Sequence, residues 1–195
     1  MATNIEKVKN LREMTGGAVL DCKRALDEAD GDIEAAAEIL RREGYAAAEE
    51  KAGRTTEEGC VDAYIHTDSK LGSLIQVNCE TDFVARTEEF RTLCHDLAMQ
   101  IAATAPQWIS REDIPDAVIQ EQTDEYLSEI EDDKPEHVVE RILEGKLDKF
   151  CKEQCLLEQP FIRDDEKTIQ QLITEAIAET GENIVIRRFA RFKIE

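Results

Sequence analysis

The chain has 195 residues and a formal net charge of -20, from 44 Asp and Glu against 24 Lys and Arg. That balance argues against wrapping nucleic acid, whose phosphates demand clustered cations, and no apolar run approaches the roughly 18 residues of a membrane span. With 42% hydrophobic and 35% charged residues, the composition is that of a soluble globular protein with one domain or two small ones.

The opening "MATNIEKVKNLRE" has neither a signal-peptide apolar core nor a transit composition, so a cytoplasmic location is expected. Ile5, Val8 and Leu11 mark one helix face, and Thr15-Gly16-Gly17 breaks it. A second helix carries Val19, Leu20, Cys22 and Leu26 and ends near Asp30-Gly31. Asp32 is the expected N-cap of a third, with Ile33, Ala36, Ala37 and Leu40, and Gly44 its expected stop. Three short helices suggest a ubiquitin-associated-like bundle over residues 1–50, followed at 45–58 by an Ala-rich charged linker, open to being partly helical.

The period then changes. "GCVDAYIH", a turn at "TDSKLG" and "SLIQVNCE" predict a β-hairpin, and Phe90, Leu93, Leu97 and Ile101 form the stripe of a helix over 87–103. Helices are expected near 115–131, 136–144 and 147–157, within a region from Ile109 to Glu140 where twelve Asp and Glu face only Arg111 and Lys134. "TIQQLITEAIAET" should be a helix ending at Gly181, before a strand "ENIVIRRFARFKI". In that strand Ile184, Ile186, Ala190, Phe192 and Ile194 should share one face, with Arg188 an exception, and Val185 and Phe189 the other. The expected class is α+β: residues 51–195 form a core in which a three-stranded antiparallel sheet packs with helices. Apolar residues on both faces of the last strand point to a homodimer.

Catalytic chemistry is hard to find. No phosphate loop or dinucleotide fingerprint is present. The histidines are His66, His95 and His137 alone, and neighbouring helical residues such as Cys94 and His95 point about 100° apart. Cys22, Cys60, Cys79, Cys94, Cys151 and Cys155 include no CxxC pair, so reduced structural thiols are expected, with no metal and no cofactor. The acidic run reads as a solvated face that favours a basic partner.

"VNCETDFVART", residues 77–87, stands out because a strand ends at a large aromatic beside a carboxylate. Either Asp82 caps a helix and Phe83 folds onto the core, or the turn presents both outward as an interface anchor.

"TDFVAR" after "VNCE" resembles a signature of the elongation factor Ts family, the guanine-nucleotide exchange factors for elongation factor Tu. "VKNLREMTGGAVLDCKRAL", "DGDIEAAAEILRREG", "KAGRTTEEG", "EGKLDKFCKEQCLLEQPFIRD" and "GENIVIRRFARF" resemble its other motifs in order. The resemblance implies a non-enzymatic exchange factor whose Thr81, Asp82, Phe83 and Val84 dislodge Mg²⁺ from elongation factor Tu. It also implies that the N-terminal bundle docks, with Val19, Leu20 and Lys23 as candidates; from the residues themselves, one of the two apolar side chains is expected to be buried in the bundle. Val19 and Leu20 stand where the family commonly has two methionines. The single core unit is similar to the family's short branch. A ubiquitin-associated-like adaptor lacking exchange activity would leave "TDFVAR" and the last strand unexplained, and a redox or metal protein built on the six cysteines ranks behind both.

Overall fold

The computed structural model describes residues 4–15, 17–130 and 135–194. Three helices come first: α1 (Asn4–Thr15), α2 (Val19–Glu28) and α3 (Ile33–Lys51). The hairpin β1 (Glu58–Ile65) and β2 (Leu71–Cys79) leads through the single turn α4 (Asp82–Ala85) into α5 (Glu88–Thr104). An arm of α6 (Asp116–Ser128) and α7 (Glu136–Gln154) precedes a small hairpin, β3 (Pro160–Phe161) and β4 (Asp164–Thr168). The chain closes with α8 (Ile169–Thr180) and β5 (Val185–Lys193). β1, β2 and β5 form an antiparallel sheet in that order, so the expected mixture of helices and a three-stranded sheet is observed.

α1 to α3 bury Leu11, Cys22, Ala25, Leu26, Ala36 and Ala37 together. Asp32 caps α3 as expected, its carboxylate accepting from the backbone N–H of Glu34 at 2.9 Å and Ala35 at 3.1 Å. Ile5 departs from expectation: it is 83% exposed, because only Val8 and Leu11 of that face reach α2 and α3. The expected break at Gly16 lies outside the described residues, as do positions 131–134 of the acidic run.

Gly44 does not stop α3. It is buried inside the helix, where an added Cβ would meet Thr174 at 3.6 Å and Ala178 at 3.9 Å, both on α8. Those are ordinary van der Waals distances, so α3 lies directly against α8 here, and Ala48 one turn later packs on the main core. Much of the expected linker is therefore helix, because tertiary packing outweighs glycine's poor propensity.

Gly145 likewise fails to interrupt α7, a single helix of 19 residues where two were expected. Ile114, Cys151 and Cys155 form a small separate cluster with Trp108, Val118, Ile119 and Phe150 that holds α6 against α7, and Arg111 pairs with Asp148 at 2.6 Å and with Glu158.

The main core lies between one sheet face and α5 and α8: Ile75, Val77 and Cys79 meet Phe90, Leu97, Ile101, Ile169, Ile173 and Ile186. A bulge corrects the expected face of β5. Ile186 pairs with Val77 and Arg188 with Gln76, so Arg187 is an extra residue and the alternation flips. Phe189 joins Ile184 and Ile186 on the core side, whereas Phe192 and Ile194 move to the open face. The bulged Arg187 donates to the buried Thr56 hydroxyl at 2.8 Å, which occupies its side chain.

Candidate functional site

β2 ends in the buried Val77, Asn78 and Cys79, and the chain then turns sharply. Thr81, not Asp82, caps the following turn: its hydroxyl accepts from the Val84 N–H at 3.4 Å. The hydroxyl can accept there because its proton is committed to Glu182 Oε1, at 2.6 Å. Thr87 caps α5 and also donates to the Val84 carbonyl at 3.0 Å, so one helical turn is fixed at both ends. Ala85 is buried beneath it and Val84 packs against the core.

This support leaves Phe83 80% exposed. The ring therefore does not fold onto the core, as one of the two readings had it. Asp82 is half-buried and pairs with Arg86 across the turn at 2.8 Å. The four expected residues therefore form one preorganised knob, an apolar ring beside a carboxylate.

Glu182 and Asn183, which sequence reasoning did not single out, hold the knob from behind. Glu182 Oε2 accepts the backbone N–H groups of Glu80 at 3.1 Å and Thr81 at 3.0 Å. Glu80 returns the favour, accepting the Asn183 N–H at 2.7 Å. The Asn183 amide donates to the Ala52 carbonyl at 3.3 Å and the Arg54 carbonyl at 3.1 Å. Gly181, at φ +73°, ends α8 in the left-handed conformation that turns the chain toward these partners. The only sequence signal was a carboxylate straight after a helix-ending glycine.

The second expected group lies on α2. Val19 is 52% exposed and Leu20 80%, and Lys23 is exposed as well. The expectation that one of the two apolar residues closes the bundle is corrected, since Cys22, Ala25 and Leu26 already fill that role.

Three of the thiols, Cys79, Cys94 and Cys155, are poorly suited to chemistry. Burial pushes Cys79 up to about 11, with the Glu182 carboxylate adding to the effect, and pushes Cys155 up to about 12. Cys94 is raised as well, chiefly by burial, and such thiols stay protonated at neutral pH. His95 points to solvent at the edge of α5, 3.5 Å from Asp62, while Cys94 faces the core. Among the described residues, no group of three His, Cys, Asp or Glu is placed to hold a metal ion. None of their helices is long and apolar enough to cross a membrane.

A profile of the family described as Elongation factor TS matches residues 48–176. The chain is 53% identical over 194 residues to Elongation factor Ts of Thermotoga neapolitana, covering 100% of this chain and 98% of that one. The chain belongs to the elongation factor Ts family. Elongation factor Ts of Thermodesulfovibrio yellowstonii is likewise 53% identical over 194 residues, covering 100% of this chain and 97% of its own. That of Caldanaerobacter subterraneus is 56% identical over 189 residues, or 96% of this chain and 94% of its own. Elongation factor Ts relatives thus align with both the bundle and the core, including α1 and β5 outside the profile match.

Proposed function

We propose that this protein is a translation elongation factor of the cytoplasm that accelerates GDP release from elongation factor Tu without covalent chemistry. One observation carries the reading: Phe83 projects 80% exposed from a turn that is capped, clamped and seated on the core. A preorganised aromatic of this kind is what a protein interface uses as an anchor, because little ordering cost remains to be met on binding.

A GTPase holds GDP through backbone amides around the phosphates and a Mg²⁺ that bridges them to protein. A factor that binds the nucleotide-free form more tightly must weaken GDP by the same ratio. In the proposed mechanism Phe83 enters an apolar slot near the Mg²⁺ and displaces the groups that hold it. Asp82 exchanges Arg86 for new partners and brings negative charge toward the phosphates, while Thr81 and Val84 fix the turn. Residues 1–50, a ubiquitin-associated-like bundle, dock through Val19, Leu20 and Lys23; residues 51–195 carry the exchange turn.

A second copy covers the open sheet face. Val61, Ile65, Leu74, Phe192 and Ile194 are exposed there, and none of the residues on that face is acidic. Two strongly acidic molecules can meet on it without opposing carboxylates, as the two sheets of a sandwich.

Release of fluorescent GDP from elongation factor Tu tests the exchange reading. The protein should speed release, and prior chelation of Mg²⁺ should shrink its relative acceleration. An acceleration unchanged by chelation would place its action at the phosphate loop or the base instead.

A further inference from the structure

We infer that Glu182 is a positioning residue for nucleotide exchange, fixing the turn that carries Phe83. The inference rests on the reading of Thr81–Val84 as the exchange element. Three donors converge on this carboxylate: two consecutive backbone N–H groups, of Glu80 and Thr81, and the Thr81 hydroxyl. All lie about a hundred positions earlier in the chain, at the junction where β2 gives way to α4. An ionised acceptor makes such bonds roughly twice as strong as neutral ones.

The geometry also sets a direction. Because the Thr81 hydroxyl gives its proton to Glu182, its lone pair faces the Val84 N–H and starts α4. Without that acceptor the hydroxyl is free to rotate, and one of the bonds that define the turn is lost. The fold has a separate tie in the same place, Glu80 to Asn183 at 2.7 Å, so the β2–β5 junction does not depend on Glu182 alone. Glu182 therefore governs the aim of the turn more than the stability of the core.

The test measures GDP release at saturating concentrations of the full chain, together with the concentration giving half-maximal effect. Glu182→Ala should lower the maximal rate on the order of tenfold, the scale of losing charge-assisted hydrogen bonds. The half-maximal concentration should stay nearly constant, because the exposed α2 residues are untouched. Glu182→Gln keeps the side-chain length and an oxygen for both amides but loses the charge and the acceptor for the Thr81 hydroxyl, and should give a rate between those of the wild type and Glu182→Ala. Glu182→Asp keeps the charge but withdraws it by one methylene, and should lose exchange as Ala does. This pair serves if the Ala variant folds poorly. In a Phe83→Ala background, Glu182→Ala should add almost nothing, since the turn then has no ring to aim.

Equal losses in both backgrounds would overturn the proposal by revealing a general structural role. A folded Glu182→Ala or Glu182→Asp protein with normal exchange, beside a defective Phe83→Ala protein, would overturn it while leaving the reading of the turn intact. Normal exchange by Phe83→Ala itself would instead remove that reading.

Discussion

Phe83 can be separated from the residues beneath it by its energetics. Truncating a buried Phe costs about 3–5 kcal/mol, but a ring that is 80% exposed has little burial to lose. Phe83→Ala should therefore slow GDP release severely while thermal unfolding shifts by only a degree or two; a large fall in melting temperature would return the ring to the core. Leu20 makes the complementary case. It is equally exposed, on a helix whose core side is already filled, so Leu20→Ala should weaken binding to elongation factor Tu without altering the melt. Calorimetric titration against nucleotide-free elongation factor Tu would show it, and unchanged affinity would remove Leu20 from the docking surface.

Helix packing decides what the N-terminal segment can do alone. At Gly44 a methyl group would make ordinary contact with Thr174 and Ala178, so Gly44→Ala should stabilise by about 0.5–1 kcal/mol through helix propensity. Gly44→Leu should push α3 off α8 and lower the melting temperature. Cutting after residue 50 would remove Gly44 and Ala48 from the core's surface, so that truncation should unfold at a lower temperature than one beginning at residue 33. Equal melting of the two truncations would show that α3 contributes nothing to the core. Acid should loosen the same region. Arg24 binds both oxygens of Glu43 at 2.6 Å, joining α2 to α3, and these hydrogen bonds hold the Glu43 carboxyl below its ordinary value. A depressed folded-state value contributes stability above the unfolded one, which is lost as pH falls through the folded one. The melting temperature should thus decline between roughly pH 5 and 3, and Glu43→Gln should reduce that decline slightly, since solvent screens the pair.

At the scale of the whole molecule, a net charge of -20 keeps copies apart except where a surface lacks carboxylates. The open sheet face is such a surface, with Phe192 70% exposed near its edge. Sedimentation at micromolar concentration should show a dimer that reductant does not alter, and Phe192→Asp should give a 22.1 kDa monomer. A wild-type chain that sediments as a monomer would leave the face to another occupant.

The sequence by itself determined most of the elements and their order, though not the β3–β4 hairpin, because periodicity, caps and turn residues act over a few neighbours. The Asp32 cap, the stripe from Phe90 to Ile101 and the Gly181 stop all follow from such short-range rules. It also singled out the turn at Thr81–Val84, through an ordered set of local motifs. Only the tertiary structure decided matters that depend on distant partners. Gly44 and Gly145 look like stops, yet they lie within helices: α8 packs against the first, and the second leaves α7 unbroken. The faces of β5 reverse at Arg187, since a bulge exists only relative to the strand opposite. Glu182 meets Thr81 across a hundred residues of chain, a separation no local pattern records. The direction of Phe83 follows from that contact, from Thr87 and from the buried Ala85 together, and so it became legible only once the chain had folded.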